Sequence, residues 1–227
     1  MHMNPTEFPF LFFALAAIFV VLATIWVRRK AKQRAEDLRS VANSLGLNYV
    51  GDDSSRAVEV SSALFRRGSS RRFRNVMNGA YAGFQVSVFD YSYTVSSGKN
   101  SSTFTQTVAA FVQDRHLPLF ELRPQGFLDR VAEMFVHKDI NFESHPVFSK
   151  RFVLKGEDEA SIRSLFTPAL LSAFEMLPPE KKWHIEGSGM TLLVYRSNIT
   201  VAPQDLRTFL DETSAVAQTF FASAGRA

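Results

Sequence analysis

With 227 residues, no cysteine and 46% hydrophobic residues, the chain has no disulfide framework and no thiolate metal centre, and it is long enough to close a hydrophobic core. Its formal net charge of +4 conceals two basic clusters on an otherwise acidic chain. That is a directed field, unlike the all-over cationic surface of a nucleic-acid coat.

The first element is an uncharged apolar run, residues 8–27, thirteen of whose twenty residues are Phe, Leu, Ile or Val. At about 1.5 Å per residue, a helix of that length crosses a ~30 Å hydrocarbon layer. Trp26 lies at its end, where an amphipathic ring suits the headgroup level, and Arg28, Arg29, Lys30, Lys32 and Arg34 follow at once. These six residues form the expected membrane interface, and the positive-inside rule leaves residues 1–7 as a short external N-terminus with the rest of the chain in the cytoplasm. A cleaved signal peptide would carry its positive charge before the apolar core, where this chain has none. The helix is expected to continue as a basic juxtamembrane segment over 28–46. Leu38, Val41, Ala42 and Leu45 give that segment its apolar stripe, and Gly46 its left-handed stop.

Residues 47–227 are expected to form one cytoplasmic domain. Asp52 begins a turn or loop. Residues 84–95 and 103–113 are rich in β-branched and aromatic side chains and read as a hairpin, with a short strand over 74–77 before it, closed by a tight turn at Asn78-Gly79. Residues 117–122 suggest a further strand, and 126–136 have helical spacing. A strand over 151–155 precedes a helix over 157–166, and Thr167-Pro168 is a fresh N-cap for a helix to Met176. Residues 182–186 and 190–196 read as a second hairpin around Gly187-Ser188-Gly189. Pro203 opens a last helix with Leu206, Phe209, Leu210, Thr213, Val216, Phe220 and Phe221 on one face. The fold class is therefore α+β: one N-terminal transmembrane helix, then an antiparallel sheet covered by helices on one side.

The second basic cluster, Arg66, Arg67, Arg71, Arg72, Phe73 and Arg74, reads as part of a loop leading into the first strand. It is a solvated basic loop, a contact for anionic lipid or an acidic partner face, or a phosphate-tracking surface for nucleic acid. Only Phe73 is interleaved and no recognisable module is present, so no nucleic-acid partner is expected. The seventeen phenylalanines beyond the apolar run point to an aromatic core, with an exposed docking patch as the alternative.

Catalytic signals are sparse. His2, His116, His137, His145 and His184 show no i,i+3 or i,i+4 pair, so no metal or other cofactor is expected. Gly187-Ser188-Gly189 is too short for a dinucleotide fingerprint, and Glu157-Asp158-Glu159 reads as a helix start. Asp90, inside an aromatic strand, needs a partner such as Arg or Tyr if half-buried. It is a structural carboxylate or, less favoured, a general base in a deep polar pocket.

Residues 78–111 (NGAYAGFQVSVFDYSYTVSSGKNSSTFTQTVAAF) and 145–175 (HPVFSKRFVLKGEDEASIRSLFTPALLSAFE), with the N-terminal run, resemble a family of uncharacterised bacterial proteins, each a single-span anchor plus one cytoplasmic domain. The resemblance implies a bacterial inner membrane and carries no known activity. The expectation is a non-enzymatic accessory or scaffold subunit, docked through its cytoplasmic domain on a larger membrane complex whose subunits are its partners. An anionic lipid headgroup-binding domain is the alternative, and an envelope-related enzyme is the third reading.

Overall fold

A computed structural model describes residues 7–52, 62–98, 100–126 and 139–224. Helix α1 (Glu7–Ser44) runs unbroken for 38 residues. Leu15, Ile18, Phe19, Leu22, Ile25 and Val27 on its first half are exposed, whereas Leu38 and Ala42 on its second half are buried in the core. Among the described residues no helix is long and apolar enough to cross a membrane. The expected span over 8–27 includes residues 8–12 and 14, whose side chains lie outside the described set. The helix stops as its sequence dictates. Gly46 takes a left-handed φ of +73°, and the Leu47 amide donates to the Ala42 carbonyl at 2.9 Å, closing the exposed carbonyl end.

Among the described residues six antiparallel strands follow: β1 (Asn48–Gly51), β2 (Ser69–Tyr81), β3 (Phe84–Ser97), β4 (Asn100–Pro124), β5 (Phe152–Gly156) and β6 (His184–Tyr195). The order is β1-β2-β3-β4-β5, with β6 also paired to β4. Strand β4 is the spine. It pairs with β3 from Ser97↔Asn100 to Gln85↔Val112, with β6 from Val108↔Tyr195 to Leu122↔Ile185, and with β5 at its far end. The expected strand over 117–122 is its continuation. The helices are α2 (Ala63–Arg66), α3 (Pro146–Arg151), α4 (Glu159–Leu165), α5 (Pro168–Met176) and α6 (Leu206–Ala224). Asp158 accepts from the Ser161 amide at 3.0 Å to start α4, and this bond, with the one from the Ser161 hydroxyl, holds its carboxyl below the usual range. Thr167 accepts from the Leu170 amide at 3.4 Å to start α5. The expected helix over 126–136 lies, beyond Gly126, outside the described residues.

Two turns expected from glycine are absent. Asn78-Gly79 lies inside β2, and the chain reverses instead at Ala82 and Gly83, with φ of +49° and +85°. Gly79 is needed for close approach: a β-carbon there would lie 2.9 Å from Leu47 Cδ2 and 3.2 Å from the Gly46 carbonyl. Residues 184–195 form one strand, not a hairpin. At Gly187 a β-carbon would lie 2.2 Å from the Phe120 ring, so the missing side chain makes room for that ring.

Alternation along the strands builds two cores. On one face Val86, Val88, Phe111, Leu122, Leu192 and Val194 meet α1, α4, α5 and α6. There Phe120 packs on Phe166 at 5.3 Å and on Phe220 at 5.6 Å. On the other face Phe89, Tyr91, Tyr93, Val108, Leu193 and Tyr195 pack with Leu64, Phe65 and Phe73. The sheet is thus buried on both faces, where covering on one side was expected; the large aromatics on both strand parities are the reason.

Candidate functional site

A bulge in β2 sets up the main polar site. Arg74 pairs with Asp90 and Met77 with Val88, so Asn75 and Val76 of β2 oppose the single residue Phe89 of β3 and one is extruded. Asn75 takes the strained position at φ +51°, a conformation asparagine tolerates better than most residues. Its side chain then donates to Asp90 Oδ2 at 2.8 Å and accepts from the Tyr49 hydroxyl at 2.7 Å. Its amide donates to Asp52 Oδ1 at 3.2 Å. Burial and the Asp52 carboxylate, in that order, hold the Tyr49 hydroxyl above its ordinary value.

Asp90 is the centre of this arrangement. Arg34 on α1 donates to it twice, Nε to Oδ2 and Nη2 to Oδ1, both at 3.0 Å. Thr107, its cross-strand neighbour, donates to Oδ1 at 2.7 Å and accepts from the Val201 amide at 2.9 Å. Each carboxylate oxygen receives two donors, so Asp90 is saturated. A cleft of about 480 Å³ opens beside it, with Lys32, Arg34, Asp52, Arg74, Asp90 and Thr105 on its walls. Asp90 therefore has the pocket that a general base needs, but its lone pairs are already engaged. It joins α1, the β2 bulge and the segment ahead of α6.

The predicted interface residues separate. Trp26 is exposed, with the Lys30 ammonium 4.0 Å from its ring centre, and Arg28, Arg29 and Lys32 are exposed. Arg34 turns onto the sheet. The second basic cluster does not form a loop: Arg66 ends α2, and Arg71, Arg72 and Arg74 lie on β2. Arg67 is buried against Glu121, and Phe73 packs on Tyr91 at 4.9 Å. Arg71 folds back to the carbonyls of Arg66, Arg67 and Gly68. Arg66, Arg72 and Arg74 are exposed.

A second polar set is buried on the aromatic face and was not anticipated. Glu186 accepts from the Tyr195 hydroxyl at 2.7 Å and from the Leu64 amide at 3.1 Å. His184 stacks on Tyr195 with ring centres 5.2 Å apart. Burial, then the Arg67 and Arg123 charges, push His184 down to about 3; burial, then Glu186, push Tyr195 well above its ordinary value. His-Ile-Glu at the start of β6 was the only available signal, and alternation alone does not say that both faces are covered. A further cavity of about 250 Å³, between α5, α6 and Trp183, has apolar walls and the Lys181–Glu212 ion pair among its lining residues. Among the described residues no three His, Asp or Glu side chains converge as metal ligands would.

No family model matches the chain, and no curated protein does. Among solved structures it is similar to the crystal structure of the mycobacterial trehalose monomycolate transport factor A. The two share 17% identity and a TM-score of 0.52, over 83% of this chain and 93% of that one. The likeness is one of fold.

Proposed function

We propose that this chain is a non-enzymatic accessory subunit of a larger envelope-related membrane assembly. Residues 8–27 anchor it in a bacterial inner membrane, and the α+β domain docks from the cytoplasmic side. One observation carries the reading: α1 is a single continuous rod whose second half is built into the core while its first half leaves large apolar side chains uncovered. An apolar surface of that extent on a folded protein marks contact with lipid or with another protein. The basic residues directly after it, Arg28, Arg29 and Lys30, favour lipid. The saturated state of Asp90 favours a structural over a catalytic domain. The similarly folded mycobacterial protein bears the name of a trehalose monomycolate transport factor, and an envelope-related accessory role here is in keeping with that.

The test is extraction and co-purification from native cells. The protein is expected in the membrane pellet after a high-salt, high-pH wash, and with partner subunits after mild detergent. Recovery in an aqueous supernatant refutes the anchor. Migration as a lone monomer in every mild detergent refutes the docking.

A further inference from the structure

We propose that the cleft between α1 and β2 is a phosphodiester site, and that in the anchored protein its occupant is the headgroup phosphate of an anionic phospholipid. The lipid half of this statement rests on the membrane-anchored reading above; the phosphodiester half does not.

Two basic clusters, some forty residues apart in the sequence, converge here. Lys32 of the first and Arg74 of the second line the same cavity. They meet because Arg74 is the register partner of Asp90, which puts both side chains on the face that Arg34 and α1 cover. The charges then divide into engaged and available ones. Asp90 and Arg34 neutralise each other through two hydrogen bonds. Among the described residues Lys32 has only Glu36, at 3.8 Å and highly exposed. Among the described residues Arg74 has no carboxylate partner. Thr105 and Thr200 add hydroxyl donors to the wall.

The sum of these charges selects the ligand class. Lys32, Arg34 and Arg74 against Asp52 and Asp90 leave the cleft one charge positive. A phosphodiester, with a single negative charge, matches that balance. A phosphomonoester dianion would leave one charge over, facing Asp52. The position suits a lipid. Lys32 lies five residues past Val27, about 7–8 Å along a helix. The polar layer on each side of a bilayer is itself about 5–8 Å thick, so the mouth of the cleft lies at headgroup depth.

The test uses the full chain in a neutral non-ionic detergent. Binding of short-chain phosphatidylglycerol is compared with that of short-chain phosphatidylcholine and of soluble glycerophosphoglycerol. Lys32→Gln/Arg74→Gln is compared with Arg115→Gln/Lys150→Gln, which removes the same charge outside both the cleft and the membrane interface. All four positions are exposed, so both variants are expected to fold, and matching near-ultraviolet circular dichroism checks this. The expected result is phosphatidylglycerol binding that falls about twenty-five-fold in the cleft variant, the product of two cations each worth about fivefold, and less than about threefold in the control. Equal losses in both variants, or equal binding of phosphatidylcholine, overturn the proposal. If glycerophosphoglycerol binds as tightly as the lipid, the phosphodiester site stands and the lipid source falls. That outcome is independent of whether the chain is anchored.

Discussion

Replacing Asp90 by alanine removes four hydrogen bonds at once and takes the counter-charge from Arg34, whose side chain is 25% exposed. Removing one partner of a buried ion pair costs about 3–5 kcal/mol. The partial exposure of Arg34 returns some hydration, which argues for the lower end. Against that, Asn75 and Thr107 each lose an acceptor, worth about 1 kcal/mol apiece unless cleft water replaces it. The expected loss is about 3–4 kcal/mol. With a urea dependence of about 2 kcal/mol per molar, the unfolding midpoint falls by about 1.5–2 M. Equilibrium urea unfolding of the full chain in non-ionic detergent, followed by the emission of buried Trp183, measures this. Arg34→Ala and the double variant complete a cycle with an expected coupling above about 1 kcal/mol. Hydrogen exchange along residues 34–45 should rise in both single variants, since the same contact holds that half of α1 to the sheet. A midpoint drop below about 0.5 M, or simple additivity, refutes the view that Asp90 clamps the helix.

Arg67→Ala, which takes a buried guanidinium from Glu121, is expected to cost about 3–5 kcal/mol, while Arg66→Ala next to it changes stability by less than about 0.5 kcal/mol; equal effects in denaturant titration contradict the assigned burial. Gly187→Ala drives a β-carbon into the Phe120 ring, which Phe166 and Phe220 pack against, and should cost about 3 kcal/mol by thermal or urea unfolding. Phe220→Ala empties a fully buried position touching Phe120, Phe166 and Phe174; about 3–5 kcal/mol is expected, and a value near 1 would mean that the site collapses around the gap. His184 titrates near 3 when folded against an ordinary 6.5, so the unfolded chain takes its proton first. Its contribution is complete above pH ~6.5 and is lost toward pH ~3, at up to about 1.4 kcal/mol per unit. His184→Phe should flatten the stability profile below pH ~6.5, and superimposable profiles rule this out.

Local chemistry was legible wherever it depends on neighbours in sequence. The helix start at Glu157-Asp158-Glu159, the cap at Thr167, the stop at Gly46 and the buried stripe of α6 all follow from spacing over three or four residues, which is the range of helical hydrogen bonds. Glycine misled twice for a physical reason. Gly79 and Gly187 serve contacts with Leu47 and Phe120, residues distant in the chain, and a missing β-carbon looks the same in a sequence whether it permits a turn or a close approach.

The sequence by itself therefore determined the α+β class, the apolar N-terminal helix with its basic flank, and the need of Asp90 for a partner such as Arg or Tyr. Only the tertiary structure decided that the partner is Arg34, that the sheet is covered on both faces, and that Lys32 and Arg74 share one cleft. Helix and strand periodicity operate within a segment, but charge pairing depends on distance in space, and the strand register that closes that distance is set by the packing of the whole sheet.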